Sequence, residues 1–108
     1  MQEVRAKKAL GQHFLTDANI ARRISEALSD GGDVLEVGCG TGMLTQFLLQ
    51  REDITVYGAE VDGESIEYLN RHFPEFSSRL YNEDFLRMPL AKMFPNGLKV
   101  IGNFPYNI

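Results

Sequence analysis

Three groups of residues in this chain have the types and spacing for chemistry on a nucleoside. Glu36-Val37-Gly38-Cys39-Gly40-Thr41-Gly42 is a glycine-rich stretch between an apolar run and a helical one. Glycines there permit positive φ and let a ligand come closer to the backbone than a Cβ would. The spacing Gly38-x-Gly40-x-Gly42 is not the GxGxxG of dinucleotide binders, since Met43 stands where the third glycine would fall, and no Gly-Lys-Ser/Thr follows to make a P-loop. Glu60, at the end of the next apolar run, is placed to accept hydrogen bonds from both hydroxyls of a ribose. Asp84, at the end of a third, can accept one from the amino group of an adenine. Together they describe a nucleoside site with no phosphate grip. An adenosine carrying something other than phosphate fits it, and S-adenosylmethionine (S-adenosyl-L-methionine) is the common cofactor of that kind.

Asn103-Phe104-Pro105-Tyr106 supplies a matching acceptor chemistry. The exocyclic amine of a base is a poor nucleophile because its lone pair is delocalised into the ring. Accepting both of its N–H bonds favours a tetrahedral nitrogen and aims the lone pair for in-line displacement. The Asn103 side-chain oxygen and the Pro105 carbonyl can be those acceptors, Pro105 stiffens the turn, and Tyr106 offers a face on which a flipped base can stack.

These residues need a scaffold that gathers strand ends. Thr16 is a candidate N-cap for a helix with Ile20, Ile24, Ala27 and Leu28 on its core face, closed by Asp30-Gly31-Gly32. Val34 to Val37 reads as a strand, followed after the glycines by a helix with a Leu44, Phe47, Leu48 stripe. Ile54 to Glu60 is the next strand, and the helix through Ile66, Leu69 and Phe73 stops before Pro74. Arg79 to Asn82 and Lys99 to Gly102 read as third and fourth strands. Alternating strands and helices predict an α/β, doubly wound, Rossmann-like layout with a mostly parallel sheet. In such sheets ligands sit outside the carboxyl ends of the strands, where Glu36, Glu60, Asp62, Asp84 and Asn103 are expected.

Composition bounds the remainder. The 108 residues, 44% apolar and 24% charged, suit one small globular domain, and no apolar run is long enough for a membrane span or a secretion signal. The single cysteine, Cys39, has no second thiol for a disulfide or a metal site, which fits a reducing, cytoplasmic location. It reads as a small filler between glycines. No metal site is expected. A net charge of −4 is unpromising for a nucleic-acid binder, yet residues 1–23 carry +3 and the other 85 carry −7. The organisation expected is a basic N-terminal arm, residues 1–16, on a Rossmann-like body, residues 17–108.

The run Lys7-Lys8-Ala9-Leu10-Gly11-Gln12-His13-Phe14-Leu15, the Glu36-to-Gly42 turn, Gly58-Ala59-Glu60-Val61-Asp62, Asn82-Glu83-Asp84-Phe85 and Gly102-Asn103-Phe104-Pro105-Tyr106-Asn107-Ile108 together resemble the small-subunit ribosomal RNA adenine dimethyltransferases, the kasugamycin-sensitivity family. The resemblance implies an S-adenosylmethionine-dependent methyltransferase fold. It also implies dimethylation of two adjacent adenosines near the 3′ end of 16S rRNA during small-subunit assembly, with 16S rRNA in the small subunit or its precursor as partner. It carries cofactor contacts to His13, Leu15, Gly38, Gly40, Glu60, Asp84 and Asn103, and a catalytic role to Asn103, Pro105 and Tyr106. Large-subunit methyltransferases of the macrolide-resistance type share the pattern, as do mitochondrial transcription factors derived from this fold. The arm and Asn107-Ile108 look more like the small-subunit enzyme. A non-catalytic nucleotide-binding module is the alternative of a different class.

Members of that family continue past the Asn-Phe-Pro-Tyr turn with further strands and a helical C-terminal domain. The resemblance therefore implies an N-terminal part truncated after the fourth strand, with an open sheet edge, marginal stability or self-association, and weak or absent methyl transfer by itself.

Overall fold

The structure, a computed structural model, describes residues 18–102. Helix α1 (Ala18–Ala27) runs into a turn in which Gly31 and Gly32 have φ of 75° and 84°. Then follow β1 (Asp33–Val37), α2 (Met43–Leu49), β2 (Thr55–Ala59), α3 (Gly63–His72), β3 (Leu80–Tyr81), α4 (Leu90–Met93) and β4 (Lys99–Gly102). Two 3₁₀ segments, Pro74–Arg79 and Phe85–Arg87, lie between α3 and β3 and between β3 and α4. All strand pairs are parallel and the order is β3-β2-β1-β4, the α/β arrangement expected from alternating strands and helices. The order reverses between β1 and β4, which makes the carboxyl end of β1 a topological switch point.

Two apolar layers hold the sheet. On one face Leu44 and Leu48 of α2, Leu69 of α3 and Phe76 pack on Val56 and Cys39. On the other, Met88 is buried against Leu35, Val37 and Ala59, with Phe85, Leu90 and Met93 partly buried beside it. Tyr57 and Phe94 meet there edge to face at 4.8 Å. Because β1 is covered on both faces, Val34, Leu35, Glu36 and Val37 are all buried and the strand shows no alternation. Among the described residues β4 pairs on one side only, and Val100, which lies beside Leu35, is 42% exposed.

The helices start and stop for local reasons. Asp62 caps α3, its Oδ2 accepting from the Ser65 amide at 3.0 Å and from the Ser65 hydroxyl at 2.8 Å. Phe73 ends the helix immediately before Pro74, as the imide ring requires. In α1 the buried residues are Ala21 and Ser25, with Ile24 and Leu28 partly buried, while Ala27 is exposed. The expected core face was thus misplaced at Ala27: α1 packs against α2 through the face that carries Ala21, Ile24, Ser25 and Leu28. Thr16 lies outside the described residues. None of the described helices is long and apolar enough to cross a membrane.

The amino end of the sheet is closed by two cations. Lys99 Nζ donates to the carbonyls of Ser29, Asp30 and Gly31 at 2.8, 2.8 and 2.6 Å. Arg51 Nη1 donates to the Ser25 and Leu28 carbonyls at 2.9 and 2.8 Å, and its Nε and Nη2 form a fork on Asp53 at 3.0 and 2.7 Å. Arg51 satisfies the Ser25 carbonyl that the last turn of α1 leaves open and the Leu28 carbonyl just past it, while Lys99 satisfies the carbonyls of the turn that follows.

Candidate cofactor site

The turn between β1 and α2 is built from three left-handed glycines, Gly38, Gly40 and Gly42, with φ of 71°, 57° and 87°. They differ in what a side chain would meet. A Cβ on Gly42 would stand 2.6 Å from Phe73 Cε2, so this glycine lets the turn close on the end of α3. A Cβ on Gly40 would meet nothing within 4 Å. Its backbone faces open space, which is the approach a ligand needs. The Gly38 amide donates to the Ala59 carbonyl at 2.9 Å and fixes the turn to the end of β2.

Glu60 stands one residue past β2 and is only 4% exposed, yet its carboxylate lies where three segments cross. Oε1 accepts from the Gly40 amide at 2.8 Å and Oε2 from the Asp62 amide at 2.9 Å. The Glu60 amide in turn donates to the Tyr81 carbonyl at 2.9 Å. A carboxylate has about four acceptor positions, and these two amides use two of them. The geometry therefore brings Gly38, Gly40 and Glu60 together in one rim. Asp84 is exposed three residues past β3, and its Oδ1 accepts from the Leu86 amide at 3.1 Å, capping the short 3₁₀ segment. Its anchored position leaves a carboxylate oxygen at the surface of the same loop layer.

Glu36 is corrected by the structure. Expected among the polar residues at the strand ends, it is instead the penultimate residue of β1, 1% exposed, on the face that α2 covers. The Thr45 hydroxyl, from the first turn of α2, donates to its Oε1. Burial pushes the Glu36 carboxyl up to about 8; the neighbouring Glu60 charge adds to this, and hydrogen bonds from Thr45 and Cys39 oppose it. At neutral pH it is mostly a neutral acid beneath the turn. Cys39 is also buried, its thiol directed at the Glu36 carbonyl at 3.5 Å, and burial raises it well above the usual thiol range. A thiol held that way is no nucleophile, as expected of a filler.

Two apolar residues beside the carboxylates escaped the sequence reading. Val61 follows Glu60 and is 64% exposed; Leu86, two residues past Asp84, is 67% exposed. An exposed valine and leucine beside hydrogen-bond acceptors suit the faces of a flat heterocycle. The available signal was their immediate proximity to Glu60 and Asp84 in the chain. An open depression of about 300 Å³ lined by Gly32, Asp33, Asn96, Gly97, Leu98 and Lys99 lies at the opposite, amino end of the sheet. The Lys99 ammonium there is already spent on three carbonyls.

His13, Leu15, Asn103, Pro105 and Tyr106 lie outside the described residues. Among the described residues no group of histidine, cysteine, aspartate and glutamate could hold a metal ion.

With this geometry in place, comparison with known proteins adds an independent line. The family model described as ribosomal RNA adenine dimethylase matches residues 3–108. The chain is 53% identical over 113 positions to a protein of Porphyromonas gingivalis named ribosomal RNA small subunit methyltransferase A, covering 100% of this chain and 43% of that one. Proteins of the same name from Parabacteroides distasonis and Cytophaga hutchinsonii are 52% and 47% identical over 111 positions, with 100% of this chain and 41% and 43% of theirs covered. The chain thus spans well under half the length of these curated relatives. Among solved structures, the crystal structure of Streptomyces venezuelae DesVI matches with a TM-score of 0.57 at 20% identity, covering 95% of this chain and 42% of that one. That likeness concerns the fold alone.

Proposed function

The chain belongs to the ribosomal RNA adenine dimethylase family, and from that premise we propose that it is the cofactor-binding part of an S-adenosylmethionine-dependent rRNA dimethyltransferase. Its substrate is the pair of adjacent adenosines near the 3′ end of 16S rRNA, modified at their exocyclic amines. The name shared by the relatives, a small-subunit methyltransferase, favours this over a large-subunit target. The observation that carries the proposal is Glu60, a nearly buried carboxylate just past β2, anchored by the Asp62 amide and by the Gly40 amide of the turn at the switch point after β1.

The residues present fit the cofactor. Gly40 leaves space where a Cβ would stand, Glu60 keeps acceptor capacity for ribose hydroxyls, and Asp84 offers a carboxylate to an adenine amine. Val61 and Leu86 supply apolar contact for the base. Gly38, His13, Leu15 and Asn103 complete the set that we assign to cofactor binding. When bound, S-adenosylmethionine supplies an electrophilic methyl group on a sulfonium.

The chain's own part in transfer falls to Asn103, Pro105 and Tyr106. Asn103 and the Pro105 carbonyl accept the two N–H bonds of the target amine and orient its lone pair, and Tyr106 stacks on the extruded adenine. The displaced proton leaves the methylated nitrogen after transfer, so no strong base is required. Amide NMR of the chain with and without S-adenosylhomocysteine tests the cofactor site. Shifts at Gly38, Gly40, Glu60 and Asp84 are expected; a spectrum that ignores the ligand overturns the assignment. Methyl incorporation by the full-length protein into 16S rather than 23S rRNA tests the substrate.

A further inference from the structure

Asn82 follows the last residue of β3 and takes no part in the cofactor contacts assigned above. With its carboxamide oriented to satisfy its surroundings, Nδ2 donates to the Glu60 carbonyl at 2.9 Å and to the Val61 carbonyl at 3.3 Å. Every polar group of Glu60 is then tied. Its amide is held by Tyr81, its carbonyl by Asn82, and its carboxylate by the Gly40 and Asp62 amides.

β3 has only two residues, and its backbone ladder reaches β2 through Gly58–Leu80 and Ala59–Tyr81. Beyond Tyr81 the Asn82 side chain takes over from the ladder and adds a tie one step nearer to Asp84. We infer that Asn82 is a positioning residue, holding Glu60 and Asp84 at the spacing required by the nucleoside half of the cofactor; this rests on the cofactor reading given above.

The chemistry selects a carboxamide. It must give hydrogens to two successive carbonyls, which an aspartate carboxylate cannot do and an alanine cannot reach. Asn82 is itself exposed, so its contribution is orientation of the β2 and β3 ends more than core packing. Truncation leaves two carbonyls to water, and an ionised aspartate adds repulsion between like dipoles and charge.

The test is calorimetric titration of S-adenosylhomocysteine and of adenosine into the wild-type chain, Asn82→Ala and Asn82→Asp, with thermal melts in parallel. Asn82→Ala is expected to weaken both ligands about tenfold, the equivalent of one lost hydrogen bond, while the melt stays within a few degrees of wild type. Asn82→Asp is expected to bind more weakly than Asn82→Ala at pH 8. It should recover towards wild type, measured at the same pH, when the pH is lowered to 4, near the ordinary aspartate pKa, because a protonated carboxyl can donate to one carbonyl. Wild-type values at each pH serve as the reference for the neighbouring charged groups Glu60, Asp62, Glu83 and Asp84. Wild-type affinity in both variants overturns the inference and leaves the cofactor reading intact. A loss that only tracks the unfolded fraction, with no recovery of Asn82→Asp at low pH, also overturns it. No binding by the wild-type chain overturns the cofactor reading and this inference with it.

Discussion

The two ends of the sheet are held by opposite chemistry. At the carboxyl end carboxylates meet backbone amides: Glu60 accepts from Gly40 and Asp62, Asp62 from Ser65, and Asp84 from Leu86. At the amino end cations meet backbone carbonyls: Lys99 on Ser29, Asp30 and Gly31, and Arg51 on Ser25 and Leu28. The difference lies in what is left over. The ammonium of Lys99 has three hydrogens and donates to three carbonyls, so it is saturated. A carboxylate anchored by two amides still has acceptor capacity. One end is therefore finished as structure, while the other is fixed in place with acceptor positions still unused.

The sharpest way to break this contrast is Glu60→Ala. It removes the acceptor of the Gly40 and Asp62 amides along with the proposed ribose contact, and S-adenosylhomocysteine affinity should fall at least about 100-fold, as for two charge-assisted bonds. Isothermal titration checks it. Lys99→Met at the other end should leave the affinity unchanged, and equal losses in the two variants would dissolve the distinction.

Acid and base should strain the two ends in opposite senses. Glu36 is raised from 4.5 to about 8 by burial, so the folded chain holds a proton that the unfolded chain has released between those values. Stability therefore falls as pH rises through that window, by about 1.4 kcal/mol per unit at the steepest. Urea unfolding at pH 5.5 and 7.5 should show the loss, and Glu36→Gln should flatten it. Asp53 behaves in reverse: its fork with Arg51 and the Gly31 amide depress it from 3.8 to about 2. Its contribution is complete above about pH 4 and is lost as pH falls towards 2. A fluorescence-monitored acid titration should show Asp53→Asn unfolding with less dependence on pH below 4 than wild type does.

Smaller effects sharpen the amino end. Arg51→Met strips two carbonyls at the end of α1 of their donor, and the melting temperature should drop by several degrees with no change in ligand affinity. Lys99→Met should lower it by only about 2 °C, since its half-buried ammonium serves turn carbonyls that water can reach once it is gone, and salt screens it. Differential scanning calorimetry at low and high salt separates the two.

Much of the frame was legible in the sequence for physical reasons. Lys99 to Gly102 reads correctly as a strand because it is a β-rich run between turn residues, and Pro74 marks the end of α3 through its ring. Glu60 was legible as a carboxylate at the end of the second strand because it closes an apolar run that follows the glycine turn. Glu36 was not, because a single acidic residue near a strand end looks solvated. Its period-two partner Val34 is fully buried, which was the available clue. Ala27 was misassigned because alanine spacing alone does not distinguish neighbouring faces of a helix, and the face that packs includes a serine, Ser25. Asn82 was legible only as the end of a strand and part of a family-like run; its positioning role was not, since it depends on two carbonyls that only the fold brings to it.

The parallel sheet also sets an order of assembly. β1 lies between β2 and β4, and roughly 40 residues separate the end of β2 from the start of β4. At ordinary synthesis rates that interval lasts roughly 2 to 8 s. During it one edge of β1 has no partner, and the carbonyls of Ser29, Asp30 and Gly31 wait for an ammonium that lies 68 to 70 residues further along. Arg51 arrives first and can fasten the end of α1 while the central strand is half paired. A nascent chain stopped before Lys99 should then be the species most exposed to edge-to-edge association and to chaperone capture.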